Sequence, residues 1–82
     1  MKRHVSVGET RTFVVVLEPD VEEGGFVVRV PALPEIVTEG DTETDALVMA
    51  EDAIRLVLDD RAARGQPIPS EIVRKVTVSV PA

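Results

Sequence analysis

Fifteen Asp and Glu side chains, nine Lys and Arg, one histidine and no cysteine limit the chemistry open to this 82-residue chain. The densest group of carboxylates is Glu18, Asp20, Glu22 and Glu23, with Asp41 further on. Such groups could hold a divalent cation, and Glu18, Asp20 or Asp41 could hold Mg²⁺ for phosphodiester cleavage. They lack the regular oxygen-ligand spacing of a calcium loop, so a solvated turn is the expectation. His4 stands near a terminus without cysteines beside it, so a zinc site would have to be built mostly from carboxylates. No serine or threonine has a histidine base at hand in the sequence, which argues against a hydrolytic triad. Gly24-Gly25 precedes a run of strand character and matches no Gly-x-x-x-x-Gly-Lys pattern, so it is read as turn geometry and not as a phosphate cradle. Neither a catalytic group, a metal nor a cofactor is expected.

Binding is the better-supported class. A net charge of −6 and a pI near 4.6 argue against a direct grip on nucleic acid, which needs clustered Lys and Arg, and favour a basic partner. The sharpest candidate surface lies on a helix predicted over 42–65. Ala46, Leu47, Ala50, Ala53, Ile54, Val57 and Leu58 recur at three- and four-residue spacing and form its core-facing stripe. Val48, Met49 and Leu56 fall off that stripe, on the side that carries Asp45, Asp52, Asp59 and Asp60. Single surface hydrophobes are ordinary. Apolar groups inside an acidic rim also make a contact patch, and Asp45, Met49, Asp52, Leu56 and Asp60 are its candidate residues.

The elements that must position this helix follow from period and punctuation. Asp41 or Thr42 caps its start, with Glu43 and Asp45 in the first turn, where the helix dipole favours negative charge. Arg61, Arg64 and Gly65 mark its end. Residues 10–18 are β-branched and apolar on both alternating faces, which predicts an inner strand. The acidic loop 19–25 then turns into a second strand, 26–30, closed by Pro31. A stiff Pro31-Ala32-Leu33-Pro34 connector leads to a short third strand, 36–39. After Pro67 and Pro69, Ile72, Arg74, Val76, Val78 and Val80 alternate with polar or smaller neighbours and predict a fourth strand. The expectation is one α+β domain over 1–82, a three-stranded antiparallel meander followed by one helix and a last strand (β-β-β-α-β). Residues 1–9 are either an edge strand or flexible. Only Phe13 and Phe26 are aromatic, so the core is thin, and association would help to stabilise it. Met1-Lys2-Arg3-His4 leads into no apolar run, so neither a secretory signal nor a membrane span is expected, and the cytoplasm is the default.

Several stretches together resemble the HicB family of antitoxins over residues 13–70. They are the acidic loop with Gly24-Gly25-Phe26, Val28 to Pro31, Leu33-Pro34, Thr38-Glu39-Gly40-Asp41-Thr42 with Asp45-Ala46, the Ala46–Leu58 helix, and Gly65-Gln66-Pro67-Ile68-Pro69. Ala32 and Glu35 depart from the family pattern, which tends to have Asp and Gly there. The resemblance implies a truncated RNase H-like fold and a non-enzymatic antitoxin of a type II toxin–antitoxin system. It also implies that the chain sequesters a small basic mRNA-cleaving HicA-type toxin, self-associates as a dimer or tetramer, and lacks the carboxy-terminal DNA-binding domain of many relatives. The alternatives are a divergent RNase H-like, metal-dependent nuclease and an orphan homo-oligomeric binding protein.

Overall fold

The computed structural model describes residues 11–69, 74 and 76–81. Three short strands, β1 (Val16–Pro19), β2 (Phe26–Arg29) and β3 (Val37–Gly40), are followed by one helix, α1 (Glu43–Ala63). The sheet is an antiparallel meander in the order β1-β2-β3. Leu17 stands opposite Val28, and Val28 opposite Thr38, so these three side chains share the face turned toward the helix. This is the α+β arrangement expected from the sequence.

The acidic loop holds itself together. The Asp20 N–H donates to the Gly25 carbonyl at 2.9 Å, and the Gly24 N–H donates to the Asp20 carbonyl at 2.8 Å. Asp20 Oδ1 accepts from the N–H groups of Glu22 and Glu23, both at 3.1 Å, the local hydrogen bonding that suits Asp to turns. Gly25 takes φ +76°, and a Cβ there would come within 2.7 Å of the Gly40 carbonyl oxygen.

The ends of α1 agree closely with the sequence signals. The Asp45 N–H donates to Thr42 Oγ1 at 3.0 Å, so Thr42 is the N-cap, and Glu43 and Asp45 lie in the first turn. At the other end the Gln66 N–H donates to the Arg61 carbonyl at 2.8 Å and the Gly65 N–H to the Ala62 carbonyl at 3.2 Å. With Gly65 at φ +68°, this is a Schellman termination.

α1 lies on β3 and β2. Ala46 and Ala50, both buried, meet Val28, and Leu17, Phe26 and Val15 pack around them. A second cluster forms where the chain crosses from β2 to β3. Two successive turns, Leu33 N–H to the Val30 carbonyl and Ile36 N–H to the Leu33 carbonyl, both 2.9 Å, fold Val30, Leu33 and Ile36 under Ala53, Ile54, Val57 and Leu58. The connector read from sequence as a stiff spacer is therefore part of the core, and Leu33 is fully buried.

Two expectations need correction. β1 is an edge strand of the sheet formed by the described residues, not an inner one, and residues 11–15 lead into it without regular strand structure. A single helix covers a single face of the sheet, which leaves Val16 and Val37 exposed on the other. Leu47, assigned to the core stripe, is half exposed, because it sits on the helix flank that extends past the seat on β2 and β3. The fourth strand was expected over 72–80. Residues 72, 73 and 75 lie outside the described residues, while Arg74 and residues 76–81 are not in strand conformation. Residues 1–9 also lie outside them.

Gly40 fixes the distance between sheet and helix. A Cβ at this position would stand 2.4 Å from the Ala46 nitrogen and 2.6 Å from its Cα, and both are backbone atoms that cannot swing aside. Gly40→Ala is expected to destabilise the domain by about 1–3 kcal/mol or more, as overpacking of an ordered core does. Thermal unfolding checks this, with roughly 4–8 °C lost per kcal/mol in a domain of this size.

A candidate protein-binding flank of the helix

Seating α1 through Ala46, Ala50, Ala53 and Val57 determines what its other flanks present. At about 100° per residue, Asp45, Met49, Asp52, Leu56 and Asp60 fall within an arc of about 80°. All five are exposed, Met49 at 43% and Leu56 at 72%. The structure thus brings the five sequence-predicted residues together as one strip running most of the helix length. Val48 is exposed as well, further round the helix.

The carboxylates of the strip differ in their surroundings. Asp60 pairs with Arg64 one turn on, at 3.2 Å. Asp45 belongs to the capped first turn. The basic side chains nearby are largely engaged: Arg55 pairs with Glu51 at 2.8 Å and Arg61 with Glu35 at 3.0 Å. The flank is therefore an apolar centre edged by carboxylates.

Two contributors were not identified from the sequence. Glu35, Leu56, Val57, Asp59 and Asp60 line a shallow depression beside the strip, which adds Glu35 and Val57 to it. Arg61 Nη2 donates to both Glu35 oxygens, at 3.0 and 3.3 Å, and Arg61 Nη1 lies 3.5 Å from the Pro67 carbonyl. One guanidinium thus links the β2–β3 connector to the chain leaving the helix. Nothing local in the sequence signals a pair 26 residues apart. Its own backbone N–H, and then the Arg61 guanidinium, hold the Glu35 carboxyl below the ordinary glutamate range.

Of the three carboxylates considered for nuclease chemistry, Glu18 and Asp20 have structural partners. Glu18 pairs with Arg29 across the strands at 3.3 Å, and Asp20 organises the hairpin loop. Among the described residues no three His, Cys, Asp or Glu side chains converge as a metal site would require.

Residues 12–81 match the family described as HicB_like antitoxin of bacterial toxin-antitoxin system. The chain belongs to this HicB-like antitoxin family. Among its relatives, the UPF0150 protein Ta0767 of Thermoplasma acidophilum is 35% identical over 66 residues, covering 80% of this chain and 94% of that protein. Antitoxin HicB 1 of Photorhabdus laumondii is 47% identical over 51 residues, covering 62% of this chain and 32% of the relative. Antitoxin HicB 2 of the same organism is 37% identical over 62 residues, covering 74% of this chain and 45% of the relative. The HicB-like chain thus spans nearly all of the first relative and less than half of the two named antitoxins. Among its described residues no helix is long and apolar enough to cross a membrane.

The lowered Glu35 carboxyl gives a signed pH effect. Folding favours the ionised form, so the stabilisation is present above the unfolded glutamate value, about 4.3, and is lost as pH falls through the lower folded value. Urea midpoints of the parent and Glu35→Gln are expected to differ at pH 7 and to converge as pH falls through the lowered folded value. A gap that stays constant with pH would show that the contribution of Glu35 is not ionic.

Proposed function

We propose that this HicB-like chain acts as an antitoxin by sequestering a small basic HicA-type toxin, and that the strip of Asp45, Met49, Asp52, Leu56 and Asp60 contacts it. The observation that carries this reading is the exposure of Leu56 and Met49 inside a row of carboxylates on a protein of net charge −6, in a family of toxin–antitoxin antitoxins. The two apolar side chains supply surface whose removal from water favours association. The carboxylates present the charge pattern that a ribonuclease meets in RNA phosphates, which steers a basic enzyme onto the strip and shields its catalytic face. The antitoxin itself performs no catalysis in this reading.

The test is binding of the full chain to the product of the adjacent small reading frame at physiological salt. Absence of binding there would refute the partner. With binding in hand, Leu56→Glu is expected to raise Kd at least tenfold, about 1.4 kcal/mol, with the helix signal in circular dichroism retained because the side chain is 72% exposed. Asp52→Lys is expected mainly to slow association and flatten its salt dependence. Unchanged affinity in both variants would place the contact on another surface.

A further inference from the structure

The acidic strip of α1 stands beside an open edge of the sheet. Gly40 lies against Ala46 at one end of the helix and Glu35 binds Arg61 at the other, so α1 runs back along β3. The flank bearing Leu47 and Leu58 looks toward Phe13 and Val15 at β1. The strip is therefore on the β3 side, where Glu35 shares a depression with Leu56, Asp59 and Asp60. Among the described residues β3 is the outermost strand on that side.

Which backbone groups of that edge are open follows from Pro19. It stands opposite Phe26 and has no N–H to give, while in the adjoining pair the Asp20 N–H donates to the Gly25 carbonyl at 2.9 Å. Antiparallel pairs alternate between hydrogen-bonded and non-hydrogen-bonded, so Glu18–Val27 and Val16–Arg29 are the bonded pairs of β1 and β2. Val27 and Arg29 thus turn their amides to β1, and Phe26 and Val28 turn theirs to Gly40 and Thr38 of β3. Val37 and Glu39 are left with N–H and C=O groups directed away from the sheet. These groups have no partner among the described residues.

Open edges are ordinarily blunted by lysine, proline or a bulge. β3, Val-Thr-Glu-Gly, has neither lysine nor proline and pairs in unbroken register, and Val37 is 60% exposed. The charges along it are acidic: Glu35 before it, Glu39 within it and Asp41 after it. Glu39 and Asp41 make no ion pair among the described residues, and Arg29, opposite Val37, is held by Glu18. A second copy of this chain would bring acid against acid here, whereas an extended basic segment meets opposite charge. We propose, on the reading of a basic toxin given above, that this partner adds an extended segment to β3, bonding the open N–H and C=O groups of Val37 and Glu39. Alternate side chains of the added strand turn toward Met49 and Leu56, and its Lys and Arg reach Glu39, Asp41 and the carboxylates of the strip. Edge and strip are then one surface, with register set by the backbone.

Amide exchange followed by NMR in the isotope-labelled full chain, alone and with the product of the adjacent small reading frame, tests this. In the free chain the Thr38 N–H, bonded to Val28, is expected to exchange slowly and those of Val37 and Glu39 fast. In the complex the last two are expected to slow by about tenfold or more. Glu39→Pro removes an outward donor without touching a bond to β2, and is expected to raise Kd by about tenfold or more with the helix signal kept. Glu39→Gln, which retains the amide, is expected to raise it less. Exchange in the parent decides the matter if Glu39→Pro does not fold. A complex weakened by Leu56→Glu in which Val37 and Glu39 exchange as in the free chain would overturn strand addition and leave the strip reading standing. No binding at all would overturn both. Slow exchange of Val37 and Glu39 already in the free chain would give the edge to another segment or to a second copy, and would overturn the proposal too.

Discussion

The close seat of the helix on the sheet is the constraint from which the remaining features follow. Gly40 ends β3 directly beneath the first turn of α1, and Ala46 and Ala50 meet Val28 with nothing larger between them. A backbone approach this close is available only to small residues. It brings the helix axis near β2 and β3, and the remaining volume is filled from the side by Leu33 and its neighbours in the β2–β3 connector. Gly25 belongs to the same constraint, since its missing Cβ makes room for the Gly40 carbonyl. Glycines 15 residues apart in sequence thus form one structural feature.

That seat also divides the surface of α1 into three lengthwise regions with different physical character. The middle is consumed by the core. One flank carries Met49 and Leu56 among carboxylates. The other carries Leu47, Ile54 and Leu58 above a groove. An 82-residue chain with two phenylalanines has little apolar surface to spare, so leaving both flanks uncovered is costly. Ion pairs do little to offset this. Those of the body are exposed, and such pairs contribute modestly in water. Glu35–Arg61 differs because Arg61 is three-quarters covered and joins two segments.

Much of this was legible in the sequence because its determinants are local. Thr42 and Gly65 delimit the helix through hydrogen bonds within three to five residues. Strand boundaries at Pro19 and before Pro31 follow from missing amide protons. The grouping of Asp45, Met49, Asp52, Leu56 and Asp60 follows from helical period alone. The family resemblance rested on the same stretches, and the match over residues 12–81 agrees with it.

What the sequence could not supply depends on where elements lie relative to each other. Period alone put Leu47 in the core, whereas the helix position over β2 and β3 left it on an open flank. Alternation alone put β1 inside the sheet, but strand character does not specify a neighbour, and pairing is a long-range property. The burial of Leu33 and the Glu35–Arg61 pair likewise arise from segments far apart in the chain. The sequence by itself determined the elements, their ends, the acidic surface and the family. Only the tertiary structure decided which apolar side chains are covered and which still face water, because burial depends on the whole packing and not on the period of any one element.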